Sequence, residues 1–189
     1  MIPPGLSFIA MSQKAWEASE KSNLPKFYLN LKSYRKSLLS NSNPYTPAVN
    51  LVFALDEALK MMREEGLDNI FLRHKKHKLA MSNAVKALNL KLFADEKYLS
   101  PSITAIETEG IDAEEFRKTI KNNFDILLAG GQDHLKGKIF RVGHLGYVND
   151  RDIISVVSAI SNTLLSLGKI SAQQAGEALV IASKYLEGS

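Results

Sequence analysis

The sequence predicts an α/β protein whose larger part is an α+β unit, a small antiparallel or mixed sheet covered by helices. Three observations predict it. From Leu90 onward, short apolar runs alternate with amphipathic stretches. Between Thr46 and Leu88, apolar residues recur at three- and four-residue steps, the period of helices that bury one stripe. Before residue 66 only Leu6–Met11 and Lys26–Leu31 read as extended, too few strands to complete a sheet.

Ile2-Pro3-Pro4-Gly5 leads into the apolar run Leu6–Met11, which reads as a buried strand. Ser12 then caps a helix to about Ser22, stopped before Pro25. Lys26–Leu31 reads as a short extended segment, Ser33–Leu39 as a polar helix, and Ser40–Pro44 as a loop. Thr46-Pro47 has the form of a helix start, with threonine as N-cap and proline at the first helical position. Val49, Val52, Leu55, Leu59 and Met62 then define a stripe for burial, and Gly66 ends the helix. A second amphipathic helix spans about Leu67–Leu88, with Ile70, Leu79, Met81, Val85 and Leu88 apolar and its charges facing water.

Leu90–Phe93, Ile103–Thr108, Ile126–Ala129 and Lys138–Val142 read as strands. Asp112 with Glu115 forms a capping box for a helix to about Asn123. Asn149 or Asp150 caps the next helix, and Ser171 with Gln174 caps the last, which ends near Leu186. No internal repeat or low-complexity segment is present.

The 189 residues are 45% hydrophobic, enough to build a core. The net charge is +4, and the longest basic run, Arg73–Lys78, lies inside a helical pattern, which argues against a nucleic-acid partner. Without cysteine the chain has no disulfide, thiolate metal site or thiol nucleophile. No apolar run reaches the roughly 18 residues of a membrane span, and Met1–Ala10 lacks the features of a signal peptide. A soluble, cytoplasmic protein with no membrane partner is expected.

Three features could carry chemistry. Asn43-Pro44-Tyr45-Thr46-Pro47 brings a phenol and a hydroxyl to a helix N-terminus, a setting that suits phosphate; an ordinary capped helix accounts for the same residues. Ala129-Gly130-Gly131-Gln132 through Lys138 is a glycine-rich connection without a dinucleotide or P-loop pattern. Arg141 stands in an apolar strand, where it could clamp a carboxylate through two parallel hydrogen bonds or lie on a surface edge. His74 and His77 lie three residues apart in a lysine-rich stretch, where they read as solvated, and no metal site is expected. His134 and His144 have no serine or acid at a recognisable spacing, so no hydrolase triad can be assembled.

The chain resembles the C-terminal half of class V, fold-type I, pyridoxal-phosphate-dependent aminotransferases, in particular the alanine/glyoxylate and serine/pyruvate enzymes. The resemblance rests on Pro3-Pro4-Gly5-Leu6-Ser7-Phe8, Phe27-Tyr28-Leu29-Asn30-Leu31-Lys32, Pro44-Tyr45-Thr46-Pro47-Ala48 and Leu55-Asp56-Glu57-Ala58-Leu59. It continues through Glu65-Gly66-Leu67, Ala129-Gly130-Gly131-Gln132, Leu135-Lys136-Gly137-Lys138 and Phe140-Arg141-Val142-Gly143-His144-Leu145-Gly146, in the same order. It implies that Arg141 grips the substrate α-carboxylate and that Thr46, with Tyr45 as a further candidate, reaches the cofactor phosphate of a neighbouring subunit. Some members have a tyrosine three residues before this threonine; here Asn43 stands there.

In the family the Schiff-base lysine precedes the Pro-Pro-Gly turn, a position that would fall before Met1, so no catalytic residue is expected in this chain. Ser12-Gln13-Lys14 imitates the family's Ser-x-Lys signature but follows the turn, and Lys14 reads as a surface residue. Residues 1–65 would then be a remnant of the large cofactor-binding domain with the interdomain helix, and 66–189 the C-terminal small domain. The implied activity is amino transfer between a small amino acid and a 2-oxo acid. Pyridoxal phosphate would be the cofactor of the intact family, not bound by this chain alone. The implied partners are a second copy or an N-terminal aminotransferase half. A non-catalytic, hydrogenase-associated subunit is the alternative, since the family includes cyanobacterial chains labelled as a soluble hydrogenase subunit. A cysteine desulfurase is disfavoured because the sulfur-accepting thiol is missing.

Overall fold

The structure, a computed structural model, describes residues 2–187 and divides into two compact units, separated in sequence between Glu64 and Glu65. Met1, from which the expected position of the lysine was counted, lies outside the described residues.

The first unit is helical. α1 (Gln13–Lys21) starts where the Ser12 hydroxyl accepts the Ala15 N–H at 3.2 Å. α2 (Leu31–Leu39) starts where the Asn30 side chain accepts the Lys32 N–H at 3.2 Å. α3 spans Val49–Glu65.

The expected strand at Leu6–Met11 does not form. The segment pairs with nothing among the described residues, and Phe8 is 76% exposed. An unpaired strand leaves its backbone groups without partners, and the first unit has no second strand to supply them. Lys26–Leu31 is not extended either. The Asn30 N–H closes a turn onto the Phe27 carbonyl at 3.2 Å, and the capping side chain of Asn30 starts α2 at Leu31. α3 begins two residues later than Thr46-Pro47 predicts. The Ala48 carbonyl accepts the Val52 N–H at 3.1 Å, so Ala48 holds the cap position and the Thr46 hydroxyl caps nothing. The periodic stripe of α3 is present but largely exposed, with Val52 50% exposed and Ala58 its one buried residue.

In the second unit, α4 (Leu67–Ala87) follows Gly66, whose φ of +83° suits a residue without Cβ. Then come β1 (Lys91–Leu92), β2 (Ile103–Glu107), α5 (Ala113–Phe124), β3 (Ala129–Gly130), β4 (Ile139–Gly143), α6 (Asp150–Ser166) and α7 (Ala172–Leu186). The strands form one antiparallel sheet in the order β1-β2-β4-β3, the covered α+β unit that the periodicities predict. β3 is shorter than expected and lies later in the chain, because the Leu128 carbonyl accepts the Arg117 Nε–H at 2.8 Å instead of a ladder bond.

Helix starts follow the capping residues. Asn149 with Asp152 and Ser171 with Gln174 form reciprocal capping boxes. Asp112 accepts the N–H groups of Glu114 and Glu115, but Glu115 does not reciprocate and lies 3.7 Å from Lys118.

The core lies between the sheet and the helices. Ile106, Phe140 and Val142 point into it, with the Phe116 ring of α5 5.2 Å from that of Phe140. α4 packs most extensively on α7, where Ala80 and Ala84 on α4 and Ala178 and Ala182 on α7 are all buried. Such small residues let two helix backbones approach closely. Gly131 makes the turn after β3, where a Cβ would collide with the Leu135 carbonyl.

Phe140→Ala should lower the unfolding free energy by about 3–5 kcal/mol through the cavity it leaves. Phe53→Ala, at a position 72% exposed on α3, should change it by less than about 0.5 kcal/mol. Urea titration followed by circular dichroism checks both.

Candidate functional site

Arg141 is placed by the period of its strand. In β4 the neighbours Phe140 and Val142 are buried, so Arg141 projects from the opposite face of the sheet. Its direct cross-strand partners are Ala105 on β2 and Ala129 on β3, both with small side chains. The Arg141 Nε–H donates to the Gly130 carbonyl at 2.9 Å. The two Nη groups have no partner among the described residues, and no carboxylate there forms an ion pair with them. A half-buried guanidinium with one nitrogen anchored and two free can receive both oxygens of a carboxylate.

In the first unit, Tyr45 is the centre of an aromatic cluster. Its ring stacks on Tyr28 at 4.7 Å and lies 5.8 Å from Phe27 and 6.1 Å from Tyr34. Its hydroxyl donates to the Phe27 carbonyl at 3.1 Å. Tyr45 therefore ties the 43–47 loop to the turn before α2. Thr46 is exposed beside it, and its hydroxyl makes no hydrogen bond among the described residues.

His74 and His77 are not solvated; both are buried on the inner face of α4, and His144 is buried with them. The Gly146 N–H donates to His74 Nε2 at 3.3 Å, which leaves His74 Nδ1 to donate to the Ile70 carbonyl at 2.7 Å. His77 Nε2 donates to Asp150 at 2.8 Å, and its Nδ1 has no partner. His144 Nδ1 donates to the Pro101 carbonyl at 3.1 Å, and its Nε2 accepts the Thr104 hydroxyl at 2.9 Å. Arg73, paired with Glu65 through Nε at 2.6 Å, donates to the Gly146 and Val148 carbonyls at 2.9 Å each. Arg73, His74 and His77 thus fasten residues 146–150, which follow the Arg141 strand, to α4, and His144 is tied to β2 and the segment before it. The signal in the sequence was the spacing: His74 and His77 continue the buried series Ile70, Met81, Val85 at helical steps. Among the described residues no cluster of histidine and carboxylate side chains could hold a metal ion.

Lys14 is exposed on α1, and none of the lysines in the chain is buried. An amine that attaches a carbonyl cofactor is activated by desolvation or by a neighbouring cation, and no lysine has the first. The glycine-rich 129–138 connection is a turn between β3 and β4 containing a short 3₁₀ segment, and His134 on it is exposed.

No protein-family model matches the chain. It is 55% identical over 168 residues to the soluble hydrogenase 42 kDa subunit of Anabaena cylindrica, covering 89% of this chain and 44% of that one. It is 33% identical over 194 residues to the serine–glyoxylate aminotransferase of Methylorubrum extorquens, covering 98% of this chain and 48% of that one. The fold superposes on the crystal structure of ureidoglycine–glyoxylate aminotransferase from Bacillus subtilis with a TM-score of 0.86 and 28% identity, over 97% of this chain and 49% of that chain. The chain belongs with the C-terminal half of the class V aminotransferases. It spans about half the length of the curated relatives it matches, and its four-stranded sheet with covering helices is the C-terminal domain fold of that class. Among the described residues, no helix is long and apolar enough to cross a membrane.

Burial pushes His144 from the ordinary histidine value of 6.5 down to about 4, and burial also lowers His77. The unfolded chain therefore takes up these protons first as the pH falls. The stability held by neutral His144 should be complete above about pH 6.5 and decline from there toward pH 4, by on the order of 3 kcal/mol. His144→Gln should flatten the fall in urea midpoint between about pH 7 and 5. An unchanged pH profile would show that His144 does not contribute.

Proposed function

We propose that this chain is the substrate-carboxylate-binding portion of a pyridoxal-phosphate-dependent aminotransferase. The reaction would transfer an amino group between a small amino acid such as alanine or serine and a 2-oxo acid such as glyoxylate or pyruvate. The observation that carries this reading is Arg141, with two guanidinium nitrogens that have no partner among the described residues, on the sheet face opposite the core and between two alanines. Both substrate classes are α-carboxylates, and a bidentate grip fixes the orientation of the carbon next to the carboxylate.

In this reading Thr46 donates its hydroxyl to a phosphate oxygen of the cofactor in a neighbouring subunit, and Tyr45 sets the loop that carries it. When bound, pyridoxal phosphate supplies the electron sink for the chemistry at the substrate carbon. The residues of this chain fit a phosphate contact and a carboxylate grip but not the covalent attachment, since every lysine is at least partly exposed. The attaching lysine would come from polypeptide that aligns ahead of this chain in the relatives. The working assembly would be a homodimer, or this chain with an N-terminal aminotransferase half, in the cytoplasm. Residues 1–65 would belong to the large domain and 66–189 to the small one. A second reading, a non-catalytic hydrogenase-associated subunit, is favoured by the names of relatives 55% identical to this chain.

Co-production with the N-terminal half of the Methylorubrum extorquens serine–glyoxylate aminotransferase tests the first reading. Glycine should form from serine and glyoxylate only when both halves are present. Arg141→Leu should cost at least about 100-fold in kcat/KM, the loss of a charge-assisted bidentate pair. Stoichiometric borohydride trapping of pyridoxal phosphate on Lys14 of the chain alone would overturn the expectation that it carries no attaching lysine. Recovery of hydrogenase subunits with the chain, and no aminotransferase half, would favour the second reading.

A further inference from the structure

Arg141 depends on a single acceptor, the Gly130 carbonyl, and that acceptor lies in the weakest strand of the sheet. β3 is two residues long, lies at the sheet edge and pairs only with β4. A strand this short gains little from its ladder. What holds the segment from its other side is Arg117 of α5, whose Nε–H donates to the Leu128 carbonyl at 2.8 Å. The guanidinium is fixed in turn by Glu114, one turn earlier on α5, through Nη1 at 2.8 and 2.9 Å to the two carboxylate oxygens.

Gly130 lies against the same pair. A Cβ there would stand 2.5 Å from Arg117 Nη1 and 2.7 Å from Glu114 Oε1. A side chain at 130 would displace the ends of Arg117 and Glu114 from where they now meet the strand. Two arginines thus grip one three-residue stretch: Arg117 at the Leu128 carbonyl and Arg141 at the Gly130 carbonyl, two residues apart.

We propose that Arg117, held by Glu114, is a positioning residue for Arg141: by anchoring Leu128–Gly130 it keeps the Gly130 carbonyl where it orients the Arg141 guanidinium. The consequence for binding rests on the carboxylate reading of Arg141; the positioning itself does not. Without the Arg117 anchor the edge strand shifts, Nε loses its acceptor, and the guanidinium samples several rotamers, so that carboxylate binding must order it. Lysine at 117 can still pair with Glu114 but presents a point charge in place of the fork that pairs and reaches the carbonyl at once.

The test uses the full chain, labelled with nitrogen-15, and reads the Nε–H resonance of Arg141, assigned by its loss in Arg141→Lys. Pyruvate is the probe. Arg117→Lys should speed water exchange of the Arg141 Nε–H and weaken pyruvate binding by about tenfold each, in a variant whose circular dichroism shows that the fold is kept. Should Arg117→Lys fail to fold, Glu114→Gln, which keeps Arg117 but frees it, should produce the same two changes in smaller measure. Unchanged exchange at Arg141 in the folded variant would overturn the proposal. If wild-type chain shows no pyruvate-induced shift at Arg141 while Arg117→Lys still speeds its exchange, the carboxylate reading fails and the positioning role stands.

Discussion

The antiparallel pairing of β2 with β4 is the constraint on which the second unit depends. A strand alternates its side chains between faces, so one register decides both what is buried and what is presented. With Ile106 opposite Phe140 and Ala105 opposite Arg141, the apolar pair joins the core and the arginine is carried to the other side between small neighbours. A slip by one residue would bury the guanidinium among Phe116 and the helices and expose Phe140. The energetic demand for burying Phe140 therefore also fixes the place of Arg141.

The same strand is held by polar contacts beyond its last residue and along its side. Beyond its last residue, Gly146 and Val148 give their carbonyls to Arg73, Gly146 gives its N–H to His74, and Asp150 accepts from His77. Beside it, Gly130 accepts from Arg141 and Leu128 from Arg117. Buried or half-buried backbone groups need partners, and here helical side chains supply them where the ladder ends. The tautomer of His74 follows from the same contacts. His74 receives an N–H at Nε2, which only an unprotonated nitrogen can do.

Much of the second unit was legible in the sequence because its signals are local. Ser171 with Gln174 and Asn149 with Asp152 specify helix starts through contacts three residues apart, and β2 and β4 stand out as short apolar runs between helices. What was not legible depended on partners distant in sequence. The polar faces of His74 and His77 looked solvated because Asp150 and Gly146, more than seventy residues on, are what satisfy them. In the first unit, Leu6–Met11 has strand composition but no strand to pair with, and composition cannot supply a neighbour. Thr46-Pro47 has the residue types of a helix start, yet the first helical bond is received by Ala48, which leaves the Thr46 hydroxyl free. Arg141 was marked by its oddity in an apolar run; that its Nη groups are unpaired is a fact of the fold.

A guanidinium without a carboxylate partner on a sheet face contributes little to folding, and its neighbours are small. Ala105 and Ala129 are poor strand residues compared with valine or isoleucine, which would cover the face better. Gly130 lowers the strand propensity of β3 further. Three choices against sheet stability, on two strands, thus surround one side chain, and local rules of this kind are usually broken at functional sites. The compensation lies one layer away. The Glu114–Arg117 pair and the buried face of Phe140 and Val142 hold the strands from the helical side, so the other face can carry small residues around Arg141.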